Sequence, residues 1–468
     1  MTESAPIHAS DARPESYMRV LVMASIVSIG GLLFGFDTGI VAGAIVQIRE
    51  LWQLGPLSEG MIVSGVLLGG FIGAAISGKA ADAFGRGPVI SATAAIFVVA
   101  AFWTGLATSP ASLGAGRFVI GLAVGGVSVA VPLYLSEIAP ARIRGAVVTL
   151  NQLAIVAGVL CSYMVSAYCS PRSDGWRDML MTGAAPGVVL GYAMLFLPSS
   201  PRWLLAKNRE GSARRMLRHL GVRDEHAAID EIKASLRDTS KATWRELFAP
   251  LARPALLVGI GLTFFQQCSG ITIVVYYATT IFGMTGFSST SLAPLLTVGV
   301  GATDLTATIA ATFLVDRLGR RPMLLAGTAI TTICLVLLAV GFAGLAHFGS
   351  AGRWLVVVSM FCYIGAFSFS LGPISGLVVS EIYPQRVRGV AMSLVIGVNW
   401  SFQIIVTLTF PSLIAALGPG WTFLIYAFIG MAGFAFCYAL VPETEGLSLE
   451  EIEAHWKAGR PPRQWQRA

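Results

Sequence analysis

Charge is the scarcest property of this sequence. Only 12% of its 468 residues are Asp, Glu, Lys or Arg, against roughly a quarter in an ordinary soluble domain. Another 55% are hydrophobic, and the mean hydropathy is +0.73. Such a composition excludes a soluble enzyme. Histidine is almost missing: His8, His219, His226, His347 and His455 are all there are, and none lies deep in an apolar run. With no nucleophile motif and no clustered histidines, an integral-membrane enzyme has no support either. The six cysteines, Cys161, Cys169, Cys268, Cys334, Cys362 and Cys437, stand singly without CxxC spacing. Neither a zinc site nor a disulfide framework is expected from them, and they read as small core residues.

Apolar sequence in long blocks is what the chain has instead. A helix needs about 20 mostly apolar residues to cross the hydrocarbon core. Charge-free runs of that order cover Gly60–Gly78, Gly87–Gly116, Phe118–Ser136, Gly145–Pro171, Met179–Pro201, Pro322–Gly352 and Trp354–Ser380. Two longer stretches, Pro254–Val315 (broken only by Asp304) and Val390–Pro442, each have room for two spans. Their turns are expected at Gly286–Ser289 and at Gly418-Pro419-Gly420, because Gly and Pro punctuate such runs. Val20–Ile48, interrupted only by Asp37, is the first span. The expectation is an all-α integral membrane protein with twelve transmembrane helices.

Orientation follows from the basic residues. Assigning alternate loops to one side gathers 27 of the 32 Lys and Arg there, together with both termini. Arg49, Arg172, Arg177 and Arg353 fall on the other side, and Arg117 lies within a span. This positive-inside pattern predicts cytoplasmic termini. The net charge of +7 then reports topology and implies no nucleic-acid partner. Met1–Tyr17 is polar and lacks a basic n-region, so no cleaved signal peptide is expected. Arginine outnumbers lysine 27 to 5, a compositional pointer to a bacterial inner membrane.

One polar segment is large: Ser199–Ala252 carries 18 charged residues in 54 positions. Met216, Leu217 and Leu220, then Ile229, Ile232 and Leu236, keep helical spacing, so short amphipathic helices are expected at the cytoplasmic membrane surface. The segments on either side are related. Ser136–Gly145, SEIAPARIRG, recurs as SEIYPQRVRG at Ser380–Gly389, 244 residues on. DAFGRGP at Asp82–Pro88 recurs as DRLGRRP at Asp316–Pro322, 234 residues on. Ordered pairs at nearly constant offset indicate duplication. The implied organisation is a tail at 1–17, a six-helix bundle at 18–198, a helical linker at 199–252, a second bundle at 253–442 and a tail at 443–468. Two six-helix repeats with sites near the membrane midplane and rocking alternation describe secondary transporters.

At these residues the sequence resembles the sugar porter family of the major facilitator superfamily. Further matches are GLLFGFDTG (Gly31–Gly39), Gly116-Arg117, NQL (Asn151–Leu153), PSSPRWLL (Pro198–Leu205), QQCSGI (Gln266–Ile271), Tyr276-Tyr277 and PETEG (Pro442–Gly446). The resemblance implies a major facilitator fold acting as a monomer and importing a small sugar. Two patterned positions differ: a second Arg is replaced by Gly87, and the Glu of the family's PESPR motif is Ser199. Asp82, Arg86, Glu137 and Arg144 in one half, and Asp316, Arg320, Glu381 and Arg388 in the other, are expected to latch the cytoplasmic ends. Glu137 and Glu381 each precede an arginine by seven residues, and the two departures are expected to weaken the first-half latch.

Asp37, Arg117 and Asp304 are the ionisable residues deep in spans. A charge there costs at least about 2.5 kcal/mol, which makes each a functional candidate. Asp37 and Arg117 both sit roughly 10–16 Å below the outer surface at 1.5 Å per residue, so they can meet. Gly35, Gly39 and Gly43 in the first helix, and Gly121 and Gly125 in the fourth, permit close helix approach. A purely structural ion pair is the alternative to a coupling pair in which Asp37 exchanges a proton and Arg117 stabilises its charge. In sugar porters an acid in this motif with the fourth-helix Arg marks proton symporters, so the proton is the expected coupling ion and no other cofactor is implied.

Amides that both donate and accept, with an aromatic face, suit a sugar. Gln152, Gln266, Gln267, Asn399 and Trp400 approach the midplane from the cytoplasmic side, on positions that contact sugar in the resembled family. Thr272, Asp304, Asn399 and Gly376 depart from its hexose-binding pattern; the last replaces a tryptophan. Polyols, inositols and modified sugars are therefore as realistic as glucose. A uniporter is the main alternative. A non-transporting sugar sensor usually adds a long tail, whereas about 26 residues follow Pro442.

Overall fold

The structure is a computed structural model. It describes residues 14–140, 143–222, 224–237, 244–249, 252–288, 290–384, 387–447, 451–452 and 454–455. The side chains of Arg144 and Asp316, both expected in the latch, lie outside that description, as do residues 1–13 of the N-terminal tail and most of the C-terminal one.

Every element among the described residues is helical. In chain order these are α1 (Pro14–Val27), α2 (Ile29–Trp52), α3 (Pro56–Phe84), α4 (Arg86–Gly105), α5 (Pro110–Ile138), α6 (Arg144–Cys169), α7 (Gly175–Thr182) and α8 (Ala184–Met194). There follow α9 (Pro201–Ala206), α10 (Glu210–His219), α11 (Glu225–Arg237) and α12 (Trp244–Leu247). The remainder are α13 (Arg253–Cys268), α14 (Ile271–Met284), α15 (Leu292–Leu318), α16 (Arg320–Ala343), α17 (Leu345–Phe348), α18 (Ser350–Phe369), α19 (Leu371–Ile382) and α20 (Arg388–Leu440).

Ten helical stretches among the described residues are long and apolar enough to cross a membrane. The last of them holds two spans. Gly418 breaks α20 with φ 78°, and the rings of Phe410 and Phe423 lie 6.3 Å apart, although thirteen residues of straight helix would separate them by about 20 Å. The chain doubles back there. Helices α7 and α8, interrupted at Gly183, form the sixth span, and the described residues hold the twelve expected. Gly286, with φ 87°, turns the chain between α14 and α15; Ser289 at the same expected turn is outside the described residues.

The surface is what a bilayer requires. Phe84, Leu195, Phe196 and Phe313 are each 69–72% exposed, an arrangement that water would not tolerate over such an area. Four cysteines are buried as expected, but Cys161 and Cys362 are exposed. A thiol is as compatible with hydrocarbon as with a protein interior, so the sequence could not separate the two.

Two spans read as continuous are broken. Gly270 takes φ 96° between α13 and α14, a left-handed conformation that glycine adopts without strain. Ser370 (φ −129°, ψ −85°) separates α18 from α19. Pro373 follows three residues later, and a proline can neither donate to nor clear the carbonyl four residues back.

The chain packs into two compact units. One comprises Met1–Asp37, Leu68–Val159 and Leu180–Ser240; the other comprises Thr38–Leu67, Leu160–Met179 and Lys241–Ala468. Within the first, glycine lets backbones touch. A Cβ on Gly35 would collide with the carbonyl of Ile155, and one on Gly158 with that of Leu32, which binds α2 to α6. Cβ atoms on Gly73 and Gly125 would strike the carbonyls of Leu122 and Gly70, which binds α3 to α5. The glycines of the first and fourth spans thus permit close approach, but to the fifth and second spans respectively. Spacing along a helix identifies a small-residue face and leaves its partner open.

The polar segment forms the expected amphipathic helices: Met216, Leu217, Leu220 and Ile229 are buried. Lys233 Nζ donates to Glu210 Oε2 at 2.7 Å, and this bond and charge hold the Glu210 carboxyl below its usual range. Gly35→Val forces a side chain onto the Ile155 carbonyl, and overpacking of this kind costs about 1–3 kcal/mol. Thermal unfolding of the purified protein should show a clear loss of stability for Gly35→Val and little change for Gly389→Ala, where a Cβ would meet nothing within 4 Å.

Candidate functional site

The two buried charges of the N-terminal spans do meet. Arg117 Nη1 on α5 donates to Asp37 Oδ1 on α2 at 2.6 Å. Asp37 is 3% exposed and Arg117 is fully enclosed. A pair this dry loses several kcal/mol of hydration per ion, and mutual attraction repays it only where the remaining hydrogen-bonding capacity is also met. Here it is not: Arg117 Nε and Nη2 are buried without partners. A single oxygen–nitrogen contact holds the two charges together.

The polar residues of the seventh span gather at its break. Gln266 Nε2 donates to the carbonyls of Leu371 (3.0 Å) and Gly372 (3.2 Å), in the first turn of α19, so the two broken spans are tied to each other. Thr272 Oγ1 donates to Gln267 Oε1 at 3.1 Å. Ser269, between them, receives the Tyr363 hydroxyl at its carbonyl, 2.9 Å. On α20, Gln403 Nε2 donates to Asn399 Oδ1 at 2.6 Å, and Trp400 is buried. Gln403 was not among the expected site residues. Its i+4 spacing from Asn399 was the available signal.

Asp304 on α15 has different company. Ser368 Oγ donates to its Oδ1 at 2.6 Å, and Thr308 Oγ1 lies at 3.5 Å. Both are neutral hydroxyls. A Cβ on Gly301, one turn earlier, would meet the ring of Tyr163 at 2.8 Å. A Cβ on Gly376 would meet nothing within 4 Å, so the position that lacks the expected indole borders open space. Gln152 belongs to the first unit, whereas the other six expected substrate positions belong to the second. It lines a cavity of about 300 Å³ with Gly30, Gly31, Phe34, Ser128 and Asn151. The buried Asn151 Oδ1 has no partner.

Comparison with known proteins matches residues 23–456 to the family described as "Sugar (and other) transporter". The chain belongs to the sugar porter family of the major facilitator superfamily. It is a transporter and not an enzyme. It is 37% identical over 437 residues to the D-xylose transporter of Levilactobacillus brevis, covering 92% of this chain and 94% of that one. It is 36% identical over 456 residues to the major myo-inositol transporter IolT of Bacillus subtilis (strain 168), covering 95% of both. Among solved structures, the inward open xylose transporter XylE from E. coli superposes with a TM-score of 0.80 at 29% identity, over 93% of this chain and 100% of that one. XylE described as a proton:xylose symporter bound to 6-bromo-6-deoxy-D-glucose gives 0.76 at 30% identity, over 94% and 100%.

The duplicated motifs of this sugar porter form ion pairs in both halves; Asp82 meets Arg86 as its spacing suggests, whereas the glutamates take partners other than the arginines seven residues on. Arg86 Nη2 contacts Glu137 Oε1 at 2.8 Å and Asp82 Oδ1 at 3.1 Å. Ser200 Oγ donates to the other Glu137 oxygen. In the second half Arg320 Nη2 lies 3.9 Å from Glu381 Oε1, and Arg388 donates to the Tyr383 carbonyl at 3.4 Å, not to Glu381. Each glutamate therefore turns to the arginine of the DxxGR motif. Seven residues along the chain carry Arg388 around a helix end and away from Glu381.

The expected weakness of the first-half pairing is not what the distances give. Glu443 accepts from the backbone amides of Arg320 (3.2 Å) and Arg321 (3.0 Å); the matching first-half position is the shorter, uncharged Ser199. Its neighbour Ser200 compensates by bonding Glu137, and it also caps α9 through the Trp203 amide at 3.3 Å. The Ser-Pro pair preceding that helix was the legible signal.

At the opposite end of the helices, the second unit contains its own closures. Tyr163 donates to the Val275 carbonyl at 2.8 Å, Tyr277 to the Thr407 carbonyl at 3.2 Å, and Gly60 abuts the carbonyl of Leu408. Ser200→Ala removes both a helix cap and the Glu137 bond. It should lower stability by about 1 kcal/mol or more, read as a lower unfolding temperature than that of Ser199→Ala.

Proposed function

We propose that the chain is a proton-coupled symporter importing a monosaccharide or related polyol by alternating access, and the buried Asp37–Arg117 contact carries this reading. When Asp37 takes up a proton, Arg117 keeps its charge and loses the ionic partner it has among the described residues. Breaking a buried pair from one side costs about 3–5 kcal/mol. Protonation thereby makes the unpaired arrangement unfavourable and favours one in which the guanidinium finds water or another acceptor. An inward proton is worth about 2.3 kcal/mol per 100 mV, which concentrates a neutral solute about 50-fold. The description of XylE as a proton:xylose symporter supports the same coupling.

Gln152, Gln266, Gln267, Thr272, Asp304, Asn399 and Trp400 hold the cargo in this reading. The gathering of amides at the breaks in the seventh and tenth spans supports it, because discontinuous helices near the midplane are where carriers bind substrate. Open space at Gly376 and a carboxylate at Asp304 favour a hydroxyl-rich cargo with several donors over one that stacks on an indole. The names of the xylose and inositol relatives fit that class. Both termini are cytoplasmic on the strength of the basic-residue distribution, and the membrane is a bacterial inner membrane on the strength of the excess of arginine over lysine. Asp82, Arg86, Glu137, Arg144, Asp316, Arg320, Glu381 and Arg388 latch the cytoplasmic ends, and the protein works as a monomer without a cofactor other than the proton.

In proteoliposomes with a 100 mV potential, the wild type should accumulate its substrate up to about 50-fold. Asp37→Asn should reach no more than the outside concentration while still exchanging labelled for unlabelled substrate. Concentrative uptake by Asp37→Asn at the wild-type level is the result that removes the coupling claim. Gly376→Trp, which enters open space, should fold normally and shift a thermal-shift panel of hexoses, pentoses, inositols and acyclic polyols toward hexoses.

A further inference from the structure

We infer that the second unit contains a further binding site, away from the helix-break amides, for a small neutral polyhydroxylated molecule. It is a cavity of about 160 Å³ whose walls include Arg49, Glu59, Tyr277, Thr280, Phe410 and Pro411. It lies far from the duplicated acid–arginine motifs. Arg388 opens α20, and Phe410 is 22 residues further on, about 33 Å along a helix. On the orientation proposed above, this is the outer end.

Two buried polar side chains in its walls make no side-chain hydrogen bond to a described residue. Glu59, in the first turn of α3, is 5% exposed and accepts no hydrogen bond from a described residue. Its nearest cation is Arg49 Nη1 at 4.0 Å, too far for a hydrogen bond. Across the cavity, Thr280 on α14 is 6% exposed, and its hydroxyl is buried without a partner. Buried polar groups are almost always satisfied. Here two of them, on different helices, border the same cavity.

The walls determine what can satisfy them. Glu59 can accept, Arg49 offers donors, and Thr280 can do either. A cation would be opposed by Arg49 and an anion by Glu59, so the occupant is neutral and carries groups that donate and accept at once. Hydroxyls do both. Tyr277 and Phe410, with ring centroids 5.0 Å apart and planes tilted by 45°, and Pro411 supply an apolar surface for C–H groups. A polyol or monosaccharide combines these features. The occupant would join the α2–α3 corner to α14 and α20, which the Tyr277–Thr407 bond already holds together.

The test is calorimetric titration of the full chain in lipid nanodiscs with xylitol, myo-inositol and D-xylose. At least one of them should bind to two classes of site. Glu59→Gln combined with Thr280→Val, which preserve size and shape, should weaken one class tenfold or more and leave the other within twofold. Gln267→Ala should do the reverse. Should the double variant fail to fold, Ala415→Leu, which fills the cavity from another wall, should give the same selective loss. A single class of site for all three probes, or a double variant that titrates like the wild type, overturns the inference. If Gln267→Ala leaves both classes intact while the Glu59 and Thr280 changes remove one, the outer site stands and the amide assignment fails.

Discussion

A carboxylate and a guanidinium 2.6 Å apart, in surroundings that admit almost no water, impose the strictest condition on this fold. Neither ion can sit in hydrocarbon by itself, and together they are still only partly satisfied, because two nitrogens of Arg117 have no acceptor. A pair selected for rigidity alone would be expected to use the whole fork, as bidentate arginine–carboxylate pairs do. The single contact leaves Arg117 dependent on one oxygen of one residue. In the proposed cycle, that dependence makes a proton consequential: it weakens the one ionic contact that Arg117 makes among the described residues.

The breaks in the seventh and tenth spans answer a second requirement of the bilayer. Irregular backbone at membrane depth is tolerated only where protein or a watery cavity satisfies it. Gln266 meets that requirement by donating to two carbonyls in the first turn of α19, while Tyr363 donates to the carbonyl of Ser269 beside the other break. The side chains proposed to hold the cargo are thus also those that stabilise the interrupted helices. Asp304 stands apart from this pattern. Its hydrogen-bond partners are hydroxyls, and no described cation pairs with it as Arg117 pairs with Asp37.

Much of this was written in the arrangement of charges along the chain. Charge-free runs located the spans, including the reversal at Gly418, because hydrocarbon admits so few exceptions. Helical depth alone predicted that Asp37 and Arg117 meet, since both positions could be counted from a span end. Contacts between helices were harder to read. The glycine faces of the first and fourth spans were visible, but which helix each one meets depends on how the bundle is assembled. Sequence spacing points Glu381 toward Arg388, but it turns instead to Arg320, because a helix terminus lies between the first two. The burial of Glu59 is illegible for a simpler reason: it stands immediately before an apolar run, where a carboxylate ordinarily faces water, and packing from α14 and α20 encloses it.

The backbone contacts made by glycine have a bearing on motion. Where Gly35 lies on Ile155, Gly158 on Leu32 and Gly125 on Gly70, no layer of side chains separates the helices. Interdigitated side chains can change rotamer and let one helix slip past another; bare peptide groups in contact cannot. The first and fifth spans, and likewise the second and fourth, are therefore coupled like paired struts that bend or tilt as one body. Flexibility has to come from elsewhere in the chain, and the places without a continuous hydrogen-bond ladder, at Gly270, Tyr277 and Ser370, are where the polypeptide can act as a hinge.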